Sequence, residues 1–226
     1  MTIRIGMLLF PRLTQLDLTG PYEILSKLPG AEIFLAWKSL APVVADSGLA
    51  LLPTTTLAQA PQADVLFVPG GGGQIPLMAD AEVLAFLRRQ AEGARYVTAV
   101  CTGSLLLGAA GLLRGYDATT HWAFHDLLGR CGARPVRQRV VIDRNRVTGG
   151  GVTAGIDFAL RLAAEVAGPE VAQAIQLGLE YDPAPPFDAG TPERAAPAVV
   201  ARVRDRFASF RREREAFFDA LDAGDR

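Results

Sequence analysis

Tyr96-Val97-Thr98-Ala99-Val100-Cys101-Thr102-Gly103-Ser104 is the stretch on which the fold turns. An apolar strand runs into a cysteine and then at once into a glycine-containing helix. Ala99 and Gly103, two before and two after the cysteine, are the small residues that a tight strand-to-helix elbow requires, because bulk at either place collides with the turn. Such an elbow is expected to expose Cys101 at a helix start, where unsatisfied backbone N–H groups and the positive dipole end lower a thiol's pKa. A buried structural cysteine is the competing reading of a cysteine taken alone, and the elbow context favours a nucleophile.

Outward from this elbow the same alternation repeats. Short, nearly continuous apolar runs at Ile3–Phe10, Ala31–Trp37, Ala63–Val68 and Tyr96–Val100 are separated by segments of helical period at Leu16–Leu28, Ala81–Gln90 and the almost wholly apolar Gly103–Leu113. This is the pattern of a parallel sheet covered on both faces: an α/β, flavodoxin-like sandwich with a mostly parallel central sheet and a nucleophile elbow. Val140–Ile142 and Val147 flank the turn-like Asp143-Arg144-Asn145 as a hairpin, and Thr153–Ala167 and Pro169–Leu179 predict two further helices. After Tyr181 the proline-rich run to Pro192 can hold neither helix nor central strand, and it leads into a charged helix over Glu193 to Leu221. The expected organisation is an α/β domain over residues 1–181, with the connector and C-terminal helix at 182–226 as part of the same unit. The helix's apolar stripe (Val199, Val203, Phe207, Phe210, Phe217, Leu221) is expected to pack on a neighbouring surface or partner subunit, with its charges solvated.

Composition bounds the function. The chain has 226 residues, enough for a core without disulfides or structural metal, and its 23 basic and 24 acidic side chains give a net charge of −1. That balance removes the attraction that nonspecific nucleic-acid or anionic-membrane binding needs. No apolar run approaches the roughly 20 residues that span a bilayer, and the opening Ile3 to Phe10 reads as a strand with no secretory signal before it, so a cytoplasmic protein is expected. Cys101 and Cys131 are then expected as free thiols, with Cys131, before Gly132 at a helix end, structural.

Three other loops follow strands and precede helices, and loops of this kind gather at the carboxyl ends of a parallel sheet. Pro69-Gly70-Gly71-Gly72-Gly73 can bring backbone N–H groups to a ligand as an oxyanion or substrate cradle. A phosphate loop is the weaker use, lacking a following Lys-Ser/Thr pair, and a plain flexible turn also stands. Thr148-Gly149-Gly150-Gly151-Val152-Thr153 is the second loop. The third carries Gln15, Asp17 and Thr19, where helix capping and a chemical role for Asp17 are both open. His121 and His125 lie four apart, but a metal site lacks a third ligand and Trp122 stands where zinc proteases carry Glu, so a pocket-lining histidine and no metal is the reading.

Taken together, Asp17, Pro69-Gly70-Gly71, Ala99-Val100-Cys101-Thr102-Gly103, Thr119-Thr120-His121 and Thr148-Gly149-Gly150-Gly151 resemble the ThiJ/PfpI superfamily, related to class I glutamine amidotransferases, over roughly Ile3 to Leu179. Within it the chain looks most like the isocyanide hydratases, through Asp17 where many relatives have glutamate, Thr102 after the cysteine, His121-Trp122 and the Tyr181 to Asp188 connector. PfpI-type proteases carry histidine where Thr102 stands, and AraC-type regulators continue into a helix-turn-helix module for which too little chain follows Tyr181. The resemblance implies a carbon–nitrogen lyase that hydrates R–N≡C to an N-substituted formamide through a cysteine thioimidate. It needs no cofactor, its partner is the small-molecule isocyanide, and the family's dimers imply a homodimer meeting near Glu193 to Leu221. It implies Cys101 as nucleophile, Asp17 as proton source, Thr102 as the group that orients Asp17 or water, Gly71 and Gly72 as the cradle, and Gly150, Val152 and His121 around the substrate. A cysteine redox sensor or regulatory binding protein, and a glyoxalase- or amidase-like enzyme, are the alternatives.

Overall fold

A computed structural model describes residues 2–224. Its main sheet has seven strands: β1 (Ile3–Leu8), β2 (Ala31–Trp37), β3 (Thr55–Thr56), β4 (Val65–Val68), β5 (Tyr96–Val100), β6 (Val140–Asp143) and β7 (Arg146–Gly149), in spatial order β6-β7-β5-β4-β1-β2-β3. Every pairing is parallel except the β6–β7 hairpin at one edge. The central strands are apolar throughout because both faces are covered: all four residues of β4 are buried, as are five of the six in β1.

The helices are α1 (Gln15–Leu25), α2 (Gln74–Leu77), α3 (Ala81–Gly93), α4 (Gly103–Ala109), α5 (Ala154–Ala167), α6 (Pro169–Gly178) and α7 (Pro197–Gly224), with a 3-10 helix at Trp122–Cys131. Their starts follow ordinary capping chemistry. Asp80 accepts hydrogen bonds from the N–H groups of Glu82 and Val83 to open α3, and proline occupies the first turn of α6. α4 stops at Ala109, short of the expected Leu113, where Gly111 takes a left-handed φ of 80° that ends the helix. α7 begins at Pro197 and not at Glu193, since proline fits a first turn and not an interior one.

The connection from β1 to β2 runs one way across the sheet and that from β4 to β5 runs the other, so the loops after β1 and β4 diverge over a crevice at the strands' carboxyl ends. The loops after β5 and β7 open beside it. α7 does not lie off the body as a solvated helix. Phe207, Phe210 and Phe217 pack against the core, Phe218 is buried in it, and Arg214 is 1% exposed. The expectation that its charges face solvent fails at Arg214. The apolar stripe expected to meet a partner is satisfied in large part within the chain.

Candidate active site

The elbow is strained. Cys101 holds φ at 56°, a left-handed value that L side chains rarely adopt. Its N–H donates to the Gly150 carbonyl (2.8 Å) and the Gly149 carbonyl (3.1 Å), while its own carbonyl accepts from the Thr120 hydroxyl (2.7 Å). Gly103 must be glycine, because a Cβ there would stand 2.2 Å from the Val68 carbonyl oxygen.

Exposure is where the sequence reading is corrected. Cys101 is 6% exposed, and burial together with the neighbouring Asp17 carboxylate pushes its thiol up, against the pull of the Thr102 and Val152 backbone N–H groups. A helix start lowers a thiol's pKa where solvent and a free dipole reach it; here desolvation and a like charge win. Asp17 is fully buried in the first turn of α1, and it does not cap that helix: Thr14 holds the cap position. Its Oδ2 accepts from the Gly70 N–H (3.0 Å), its Oδ1 is buried without a partner, and the Cys101 thiol lies within coupling reach. Desolvation, outweighing the bonds from Gly70 and Cys101, raises the carboxyl to about 7. Thiol and acid therefore share protons as one couple.

The glycine run serves this couple in a different way from the expected oxyanion cradle. The Gly70 N–H is spent on Asp17, the Gly71 N–H on the Thr102 hydroxyl oxygen (3.1 Å) and the Gly73 N–H on the Arg12 carbonyl (3.1 Å). Glycine is needed there for close approach, since a Cβ on Gly70 would come within 2.8 Å of Asp17 Oδ2 and of Thr102 Oγ1. Thr102 thus ties the elbow to the loop after β4.

Above the couple opens a cavity of about 420 Å³, with Cys101, Thr102, Gly71, Gly72, His121 and Val152 all on its wall. Two expected site residues are not on that wall: Asp17 is buried beneath Cys101, and Gly150 lies behind the elbow, anchors Cys101 through its carbonyl, and faces a neighbouring cavity. His121 accepts the Ala123 N–H on Nδ1 (3.2 Å) and sits edge-on to Phe207, and burial and Arg214 hold its pKa down at about 4, so it is neutral. Among the described residues no three His, Cys, Asp or Glu side chains are grouped to hold a metal ion. Cys131 is far simpler. Its sulfur contacts the Leu127 carbonyl, and burial pushes it up to about 12.

What the sequence reading missed is the roof: Phe207, Phe210 and Arg214, all from α7, line the cavity. A signal existed. Arg214 falls on the same helical stripe as Phe207, Phe210, Phe217 and Leu221, and a charge inside an apolar stripe marks a buried ion.

A parallel sheet with a cysteine on a strained elbow and an acid beneath it defines an α/β protein of the cysteine-elbow class. The chain belongs to the DJ-1/PfpI family, whose model matches residues 3–165. It is 60% identical to an isonitrile hydratase of Pseudomonas putida over 92% of this chain and 91% of that one. A crystal structure of a ThiJ/PfpI family protein from Pseudomonas syringae superposes with a TM-score of 0.94 at 46% identity, covering 96% of this chain and 91% of the other. The HTH-type transcriptional regulator GbdR of Pseudomonas aeruginosa is 36% identical over 79% of this chain, which spans only 50% of the regulator.

Proposed function

We propose that the protein is an isocyanide hydratase, converting R–N≡C and water to R–NH–CHO. The observation that carries this reading is the buried Cys101–Asp17 couple, with Cys101 on the wall of the cavity above it, in a chain so similar over its length to an isonitrile hydratase. An isocyanide presents an electrophilic terminal carbon that becomes basic once attacked, so it needs a soft nucleophile and a proton at the same point.

In this reading the Cys101 thiolate forms a C–S bond to the terminal carbon, and the electron pair left on that carbon takes the proton held by Asp17. The product is a thioimidate, R–N=CH–S–Cys101, beside an Asp17 carboxylate. Water then adds across C=N, its oxygen to carbon and a proton to nitrogen through Asp17. Collapse forms the formyl C=O, returns the hydroxyl proton to Asp17 and expels the thiolate. The Asp17 pKa of about 7 suits a group that gives and takes a proton near neutrality. Thr102, through its bond to Gly71, positions the loop that holds Asp17, and Gly71, Gly72, Val152 and neutral His121 bound the space for R.

Incubating the protein with an isocyanide and following the formamide carbonyl absorbance tests the activity. Absence of formamide at concentrations where thiol alkylation proceeds contradicts it. A redox-sensor role is disfavoured, since ready oxidation follows exposed, low-pKa thiols and Cys101 is neither.

Three further readings go with this one. Residues 1–181 and 182–226 act as one unit, supported by Phe218 in the core, and a chain ending at Tyr181 is expected not to fold cooperatively. The protein works in the cytoplasm, where Cys101 and Cys131 stay thiols; no helix among the described residues is long and apolar enough to cross a membrane. It is a homodimer with an isologous interface, for which Val199 and Leu221, each 46% exposed on α7, remain available; a monomer by light scattering at micromolar concentration contradicts this.

A further inference from the structure

Arg214 is a guanidinium taken out of water without an acid to pair with. It is 1% exposed, and its three donors reach only neutral acceptors: Gln74 Oε1 (3.2 Å), the Phe210 carbonyl (3.1 Å) and the Gly71 carbonyl (3.4 Å), with the Phe124 ring 4.3 Å from the cation. Nearly every other arginine with a carboxylate partner in this chain makes that pair at the surface, where it is worth little. A buried cation with no counter-charge is costly, and it persists where a negative charge faces it for part of the protein's working cycle. The wall that carries Arg214 also carries Cys101, and the Gly71 carbonyl that Arg214 holds belongs to the residue whose N–H bonds Thr102, next to the sulfur.

We propose that Arg214 is the counter-charge of the Cys101 thiolate, a positioning residue on α7 that makes the anionic sulfur attainable in a site otherwise too dry for it. The other charged groups around the couple do not supply this. Asp17 and Asp46 are acids and offer no positive charge, His121 is neutral, and Arg12 and Arg206 on the cavity rim are exposed and screened. Glu213, on Arg214's own helix, is exposed and acts on the guanidinium weakly beside Cys101. Burial pulls Arg214 down to about 10, which still leaves it fully charged at neutral pH. The inference rests on Cys101 being the reactive thiol and not on which electrophile it meets.

The test is the rate at which iodoacetamide alkylates Cys101, followed by mass on the Cys101 peptide across pH, in the wild type, Arg214→Lys and Arg214→Gln. Alkylation displaces iodide by the thiolate, so the pH midpoint reports the energy of that anion independently of any isocyanide. The lysine variant is expected to keep the wild-type midpoint within a few tenths of a unit, and the glutamine variant to move it up by about one unit or more. A glutamine variant that folds, loses formamide production and keeps the wild-type midpoint overturns the proposal and leaves Arg214 an anchor of α7. Should the glutamine variant not fold, the wild type itself decides. In 0.5 M salt, which screens Arg12 and Arg206, Cys101 is expected to react with iodoacetate at least as fast as with iodoacetamide, relative to a small free thiol. A clear preference for the neutral reagent overturns the proposal.

Discussion

Cys101 and Cys131 are both buried, both at the edge of a helix, and both pushed up from the ordinary thiol range by desolvation. Burial therefore does not separate them. The difference lies in what surrounds each sulfur. Cys131 packs beneath Gly108, whose Cβ would stand 2.4 Å from it, with a carbonyl as its polar neighbour and no acid to exchange a proton with. Cys101 sits on a strained backbone, above a buried carboxyl that titrates at about 7, on the wall of a cavity with a buried arginine. In the function proposed here, a proton partner and a local cation make the thiol reactive, and exposure is not needed.

Removing each cysteine in turn separates the two environments. Cys101→Ala is expected to reduce formamide formation by about a thousandfold or more, since the covalent route is gone, with little change in melting temperature. Residual turnover within tenfold of wild type contradicts the covalent route. Asp17 is the next lever. Asp17→Asn keeps hydrogen bonding without a transferable proton and is expected to lose about a hundredfold or more, whereas Asp17→Glu keeps an acid displaced by one methylene and retains part of the activity. Near-wild-type turnover by the asparagine variant leaves Asp17 without a chemical role.

The same carboxyl sharpens the comparison through stability. Its folded pKa of about 7 lies above its ordinary 3.8, so the native state holds the proton more tightly than the unfolded chain does. That contribution is fully present below about pH 4 and is lost as pH rises through 7. Wild type is expected to weaken over this window, and Asp17→Asn to lack the loss, making it more stable than wild type at pH 8 by an amount on the order of 4 kcal/mol. Coincident melting curves across pH 4 to 8 contradict a raised carboxyl. The smallest effect belongs to the other cysteine. Cys131→Ala is expected to cost about 1–2 kcal/mol by leaving a small void, with activity within about twofold.

What could be read from the sequence was local. The strand-elbow-helix at Tyr96 to Ser104, the β6–β7 hairpin and the acidic position in the first loop each lie within a few residues, and spacing and turn chemistry reveal them. What stayed hidden depends on burial and on distant chain. The helix start at Thr102 suggested an exposed, low-pKa thiol, because the sequence does not show α7 closing over the sulfur. Three of the glycine loop's N–H groups turned out to be occupied, since their acceptors, Asp17, Thr102 and Arg12, come from other elements. The resemblance implies Gly150 on the substrate wall, yet the chain turns it behind the elbow, where it faces a neighbouring cavity. On the sequence pattern Arg214 is one more charge on a solvated helix face, and only the packed structure shows it buried.

Cys101, and not Cys131, is expected to form a covalent adduct with the isocyanide carbon, using the proton of Asp17. Mixing protein with a slow-turning isocyanide, quenching within the turnover time and mapping the mass gain by peptide decides this. A gain equal to one whole isocyanide is expected on the peptide carrying Cys101, none on that carrying Cys131, with decay of the adduct as formamide appears. Formamide accumulating with both cysteines unmodified at every time point would contradict it.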